Sequence, residues 1–411
     1  MNVSWELSTI GNEFDVQLGK MLDAATNVGE PRKYLGNRSV QWGRIDLEAA
    51  GTVPLTEADR IRYRLQPGDL LVCEGGEVGR AAIWQGEISE IYFQKALHRL
   101  RPRRGYDVRV MQALLEYWSR NGSLVNFVTR TSIAHLPREK LVSMPLPVPP
   151  PQEQTRIAAA LSDADASIAT LERLIAKKQA IKQGLLQELL TGHTRLPGFT
   201  ATCNEVRLGS HVSYVRNVAL SRAQLDTSSP LRYLHYGDIH TSSETVLDAA
   251  REPMPRASST MAGRAGLLRV GDLVFADASE DPDGVGKSVE ITGVPSGGVV
   301  PGLHTITARF DKRVLADGFK AYVQFIPAFR AQLLKLAAGT KVLATTKASI
   351  SSVILSLPAV AEQHAIATVL RDADNEIAAL GVRLTKARAI KQGMMQQLLT
   401  GRVRLPVEDA A

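Results

Sequence analysis

The sequence predicts a mixed α/β (α+β) fold: two globular domains separated by two long helices that form an antiparallel coiled coil, built on an internal pseudo-twofold repeat. Three observations carry this expectation. Gln152–Pro197 aligns without a gap to Ala361–Pro406 at an offset of 209, with 25 of 46 positions identical. Each copy spaces its apolar residues by alternating steps of four and three, the 3.5-residue period of a coiled-coil seam. The segments preceding the copies also match, but faintly, and read as short strands between glycine turns. The expected divisions are 1–150 for the first domain, 151–197 for the first helix, 198–357 for the second domain and 358–411 for the second helix and tail.

Length and composition agree. A chain of 411 residues exceeds a single small core, and 44% hydrophobic with 22% charged residues excludes a disordered or fibrous protein. No apolar run approaches 18 residues, so no membrane span is expected. Met1–Gly11 lacks the basic-then-apolar pattern of a signal peptide. Two cysteines, Cys73 and Cys203, make neither a disulfide framework nor a four-cysteine zinc site, and read as reduced thiols in a cytoplasmic protein. Lys and Arg outnumber Asp and Glu by 49 to 42, giving +7. That surplus favours an anionic partner, of which nucleic acid is the commonest large one.

The first domain opens the repeat faintly. Tyr34-Leu35 returns as Tyr233-Leu234 at offset 199, Pro67-Gly68-Asp69-Leu70 as Val270-Gly271-Asp272-Leu273 at 203, and Leu97-His98 as Leu303-His304 at 206. Asp69–Val72 and Asp272–Phe275 read as short apolar strands after turns. Tyr106–Ser119 and Gly318–Ala337 carry helical spacing. The wide divergence of these domains, against the clear similarity of the helices, suggests one fold meeting two different targets.

The helices follow. Ile157, Leu161, Ala164, Ile168, Leu171 and Ile175 form the first seam, and Ile366, Leu370, Ala373, Ile377, Leu380 and Leu384 the second. Pro149–Pro151 precede the first helix, and Gly192 and Gly401 stand where left-handed caps belong, with Pro197 and Pro406 behind them. A helix from Gln152 to Thr191 is about 60 Å long. Its single stripe must be buried, and its own repeat is the expected partner. Gly184 and Gly393 interrupt both helices at one place, at a cost of about 1 kcal/mol each, which points to close approach by another helix or a partner protein.

Enzyme signatures are missing. Gly284-Val285-Gly286-Lys287-Ser288 ends like a phosphate-binding loop, but the required earlier glycine is Asp281, whose carboxylate repels phosphate. No lysine has an acidic residue two positions before it. There is no Gly-x-Ser-x-Gly elbow and no His-Glu-x-x-His, so neither a catalytic nor a metal site is expected. Basic and aromatic residues do gather in the domain loops. Arg38, Gln41, Trp42, Arg44, Lys95 and Arg99 in the first domain, and Tyr233, Tyr236, His240, Lys341 and Lys347 in the second, are the candidates for DNA contact.

The doubled block, with Glu153-Gln154, Asp163-Ala164-Asp165, Lys182-Gln183-Gly184-Leu185-Leu186, Leu189-Leu190-Thr191-Gly192 and Arg195-Leu196-Pro197, resembles the specificity subunits of type I restriction-modification systems. Val40-Gln41-Trp42-Gly43-Arg44-Ile45-Asp46-Leu47 and Pro67–Gly76 are similar to the start of a recognition domain in that family. Gly381 and Ala361 depart from it at positions more often filled by larger residues.

The resemblance implies a non-catalytic subunit with two target recognition domains, each binding one half of a split, asymmetric double-stranded DNA site, the halves about one turn apart. The helices would dock two methyltransferase subunits, at Ile157, Leu161, Ile168, Leu171 and Gly184 and at Ile366, Leu370, Ile377, Leu380 and Gly393. This chain would hold no cofactor. Its partners would use S-adenosylmethionine and, where restriction/translocase subunits join, ATP and Mg. The alternative reading is a coiled-coil scaffold whose domains bind protein and have no DNA specificity.

Overall fold

The computed structural model describes residues 5–23, 27–130, 134–279, 281–337 and 343–405. The chain divides into two compact units, residues 1–173 with 382–411 and residues 174–381. The division falls inside both long helices.

In the first unit, four strands run antiparallel in the order Phe14–Leu18, Leu97–Pro102, Leu70–Cys73, Ala81–Ile83. Leu70–Cys73 is buried at every position because the sheet is covered on both faces. Leu70 and Val72 enter one cluster with Phe14, Leu114 and Leu146, while Leu71 and Cys73 enter another with Trp84 and Phe93. A second sheet pairs Glu30–Leu35 antiparallel with Gly51–Leu55 and parallel with Tyr92–Phe93.

The second unit repeats this plan. Val212–Val215, Thr305–Phe310, Leu273–Ala276 and Ser288–Gly293 form the same antiparallel run, with Val246–Asp248 added parallel at the edge. Arg232–Leu234 pairs parallel with Val299–Pro301. A buried aspartate before each central strand takes a two-bond grip from an arginine, Asp69 from Arg101 and Asp272 from Arg309.

Strand register corrects one alignment. Cys73 lies opposite Leu97, and its equivalent Ala276 lies opposite Thr305. Leu97 therefore corresponds to Thr305, at offset 208, and not to Leu303. His98 corresponds to Ile306, and His304 to Ala96.

The long helices span Pro151–Thr191 and Val360–Leu398, each ended by a glycine in the left-handed region, Gly192 and Gly401. Pro406 lies outside the described residues. Within the first unit they pair antiparallel through Glu153–Arg404, Asp165–Lys391 and Glu172–Arg388. Within the second they pair through Lys178–Glu376 and Lys182–Asp374, with Arg195 reaching Glu362. Glu153–Arg404 and Asp165–Lys391 are the offset-209 copies of Glu362–Arg195 and Asp374–Lys182.

The helix ends are not in a free-standing seam. Ile157 and Leu161 are buried in the first unit's main cluster beside Met395, Leu398 and Leu399; Ile366 and Leu370 are buried in the second unit's beside Leu186, Leu189 and Leu190. Leu171 and Leu380 are buried, whereas Ile168 and Ile377 are half-buried. Ile181 and Ile390, 45% and 62% exposed, leave the stripe altogether. A side chain added at Gly184 or Gly393 would meet open space, so the close approach expected there is not made by this chain.

Candidate nucleic-acid interface

In each unit three loops converge on the same backbone scaffold. The first follows the parallel strand that ends at Leu35 or Leu234. The second follows the central strand that ends at Cys73 or Ala276. The third is the turn before Leu97 or Thr305. Equivalent main-chain bonds fix them. Leu35 O accepts from Gln94 N as Leu234 O accepts from Gly302 N. Glu74 N donates to Ala96 O as Asp277 N donates to His304 O, and Glu74 O accepts from Leu136 N as Asp277 O accepts from Thr345 N. Local sequence makes this possible. Gly79 and Gly286 hold positive φ of 82° and 77°, and a Cβ there would strike Leu124 or Leu333.

The cation after each of these glycines ties the second loop to the first. An Arg80 guanidinium nitrogen donates to Asn37 O at 2.8 Å, and Lys287 Nζ donates to His240 O at 2.6 Å. Lys287 is thus spent on a loop carbonyl, which accounts for the phosphate-loop likeness of Gly284–Ser288. Asp281 caps the same turn by accepting from Gly284 N.

The side chains on this common scaffold differ. In the first unit Asn37 Nδ2 donates to Gly75 O, Trp42 Nε1 donates to Glu77 at 2.6 Å, and Gln41 Nε2 donates to Arg38 O. Arg38, Arg44 and Lys95 are exposed around them. In the second unit the Tyr236 ring lies 4.4 Å from His235, 6.0 Å from His240 and 5.4 Å from His304. Burial holds the His235 imidazole below its ordinary range. Burial pushes the Cys73 thiol up to about 11, which leaves it inert. Among the described residues no cluster of three or more His, Cys, Asp or Glu side chains could hold a metal ion. No helix among them is long and apolar enough to cross a membrane.

The family model for the type I restriction modification DNA specificity domain matches residues 2–183. That match covers somewhat less than half of the chain. A putative type I restriction enzyme MjaX specificity subunit from Methanocaldococcus jannaschii is 24% identical over 160 residues, 37% of this chain and 37% of that protein. The match thus spans little more than a third of the curated relative's length. Two solved structures share the fold. The type I restriction-modification system S subunit from M. genitalium has a TM-score of 0.60 at 13% identity, over 97% of this chain and 96% of that one. A chain from a study of complex assembly and conformational transition of the type I R-M system has a TM-score of 0.61 at 15% identity, over 98% and 99%.

The candidate DNA contacts divide clearly. Arg38, Gln41, Trp42, Arg44, Lys95, Tyr236 and His240 lie on the converging loops. Two candidates need correction. Arg99 is 5% exposed in a central strand and bonds Asp15, so it is part of the fold. Tyr233 is fully buried; its hydroxyl accepts from Leu220 N and Leu303 N and donates to Val218 O. Lys347 is exposed on a short helix, 5.7 Å over the Tyr214 ring. Lys341 lies outside the described residues. Sequence reasoning missed His304 and Asp277, because the faint alignment set His304 against a strand residue instead of a turn residue.

Proposed function

We propose that this chain is the non-catalytic DNA specificity subunit of a type I restriction-modification complex. Each unit recognises one half of a bipartite, asymmetric double-stranded site through its converging loops. One observation carries the reading: the two units place different side chains on the same hydrogen-bonded scaffold, while the two helix blocks share 25 of 46 positions. Different loops suit different half-sites, and like helices suit two copies of one partner. The helices form the antiparallel coil on which two methyltransferase subunits dock, and restriction/translocase subunits join where the system has them. Exposed Ile181 beside Gly184 and exposed Ile390 beside Gly393 offer matching apolar faces for that docking. S-adenosylmethionine, ATP and Mg belong to the partners, and the complex works in the cytoplasm.

The test is to exchange residues 1–150 for those of a chain with another target and map methylated bases genome-wide. One half of the site should change and the other should persist. A target unchanged in both halves, or lost sequence dependence in the assembled wild-type complex, refutes the proposal.

A further inference from the structure

The second unit's turn before Thr305 carries a side chain that the fold does not need. His304 is the one non-glycine among the described residues with positive φ, at 56°. Such a conformation costs about 1–2 kcal/mol for an ordinary residue, and strain of this kind gathers at ligand sites. The ring is not held there by burial, since its side chain is 50% exposed. Its Nδ1 lies 3.0 Å from Asp277 Oδ1. An ionised carboxylate only accepts, so Nδ1 carries the hydrogen and Nε2 is the ring's free edge. No described protein group bonds Nε2. The half-buried Tyr236 beside it, ring planes at 86°, likewise has no described partner for its hydroxyl. Two polar atoms on neighbouring rings are therefore without a described protein partner. At the equivalent turn of the first unit the residue is Ala96, which can offer nothing beyond its backbone.

Resting on the reading of the units as DNA-recognition domains, we propose that His304, oriented by Asp277 and Tyr236, is a base-reading residue of the second unit alone. Its Nε2 hydrogen-bonds the edge of a base in the major groove, and the Tyr236 hydroxyl bonds the same or the neighbouring base pair. A contact of this type discriminates against the wrong base by roughly ten- to a hundredfold.

The experiment uses the full chain assembled with its methyltransferase subunits and a library of double-stranded DNA randomised over the target. His304→Gly keeps the backbone conformation, which glycine adopts freely, and removes the ring. Its melting temperature should not fall. One position of one half-site should become degenerate, with preference there reduced about ten- to a hundredfold, and the other half-site should be untouched. His304→Asn, which also tolerates positive φ, should alter the preferred base at that same position. Tyr236→Phe should weaken selection at that position or the one beside it. Unchanged selection in a folded His304→Gly complex overturns the proposal, as does a uniform loss of affinity across all sequences. A wild-type complex with no bipartite preference would instead overturn the recognition reading beneath it.

Discussion

His98 sits in a central strand with Nε2 donating to Leu136 O at 2.8 Å, and its buried Nδ1 has no partner. Burial, above all, holds its imidazole below the ordinary value near 6.5; Leu136 O, Glu74 and Glu139 pull the other way without prevailing, and Arg138 adds to the depression. The unfolded chain therefore binds a proton before the folded one does, and stability falls as pH drops below about 6.5. Urea midpoints of the first unit should decline from pH 7 to 5, and His98→Gln should flatten that decline. A wild-type midpoint constant over this range contradicts the assignment. Tyr233→Phe leaves two buried N–H donors and a carbonyl without their partner, and should cost about 1–3 kcal/mol with no change of DNA target. Arg99→Ala should likewise lower stability and spare the target, whereas Arg38→Ala should spare stability and reduce the slope of log affinity on log salt by about one. At this scale the sequence was only partly legible. Arg38 was readable as an exposed loop cation because Gly36 and Gly43 flank it. Arg99 was not, because the strands that flank it and its partner Asp15, 84 residues earlier, are brought together only by the fold.

At the scale of the element, the long helices were the most legible part of the chain. A repeated heptad with glycine after its last turn leaves few alternative conformations. What periodicity could not show was where the stripe is covered by the other helix and where by a domain core. Tertiary ties decide that. Gln154 Oε1 accepts from Asp107 N and Gln363 Oε1 accepts from Ala316 N, clamping each helix start to its own unit. Glu153 and Glu362, both buried, take the guanidinium groups of Arg404 and Arg195. Glu153→Ala and Glu362→Ala should each lower stability, since each removes a buried carboxylate that holds a guanidinium by two hydrogen bonds. Hydrogen exchange should place each loss in its own unit. Gly184→Ala and Gly393→Ala make the opposite case. With open space around both Cα atoms, alanine should raise the chain's stability by up to about 1 kcal/mol each. If a methyltransferase subunit sits against that glycine, the same change should weaken assembly in a pull-down titration. Stabilisation with undiminished assembly would exclude these glycines from the docking face.

At the scale of the whole molecule, the order of segments along the chain is not the order of cooperative units. The sequence places residues 382–405 in a terminal helix, far from the first domain. The structure places Met395, Leu398 and Leu399 in that domain's core, and Arg404 on Glu153, with the guanidinium 5.4 Å over the Trp5 ring. Chain distance hides this, because nothing in the spacing of Met395 or Leu399 says which core receives them. The consequence is testable by truncation after Gly381. That cut removes three buried side chains at about 2–5 kcal/mol each and the partner of a buried carboxylate. The sum matches or exceeds the 5–15 kcal/mol by which a domain is ordinarily stable. The second unit, residues 174–381, keeps all of its own residues. Hydrogen exchange on the monomeric fraction of the truncated chain should show strands Leu70–Cys73 and Leu97–Pro102 unprotected and their counterparts Leu273–Ala276 and Thr305–Phe310 as protected as before. Full protection of the first pair would mean that the first unit holds together without the second helix, and that the repeat is two self-sufficient halves.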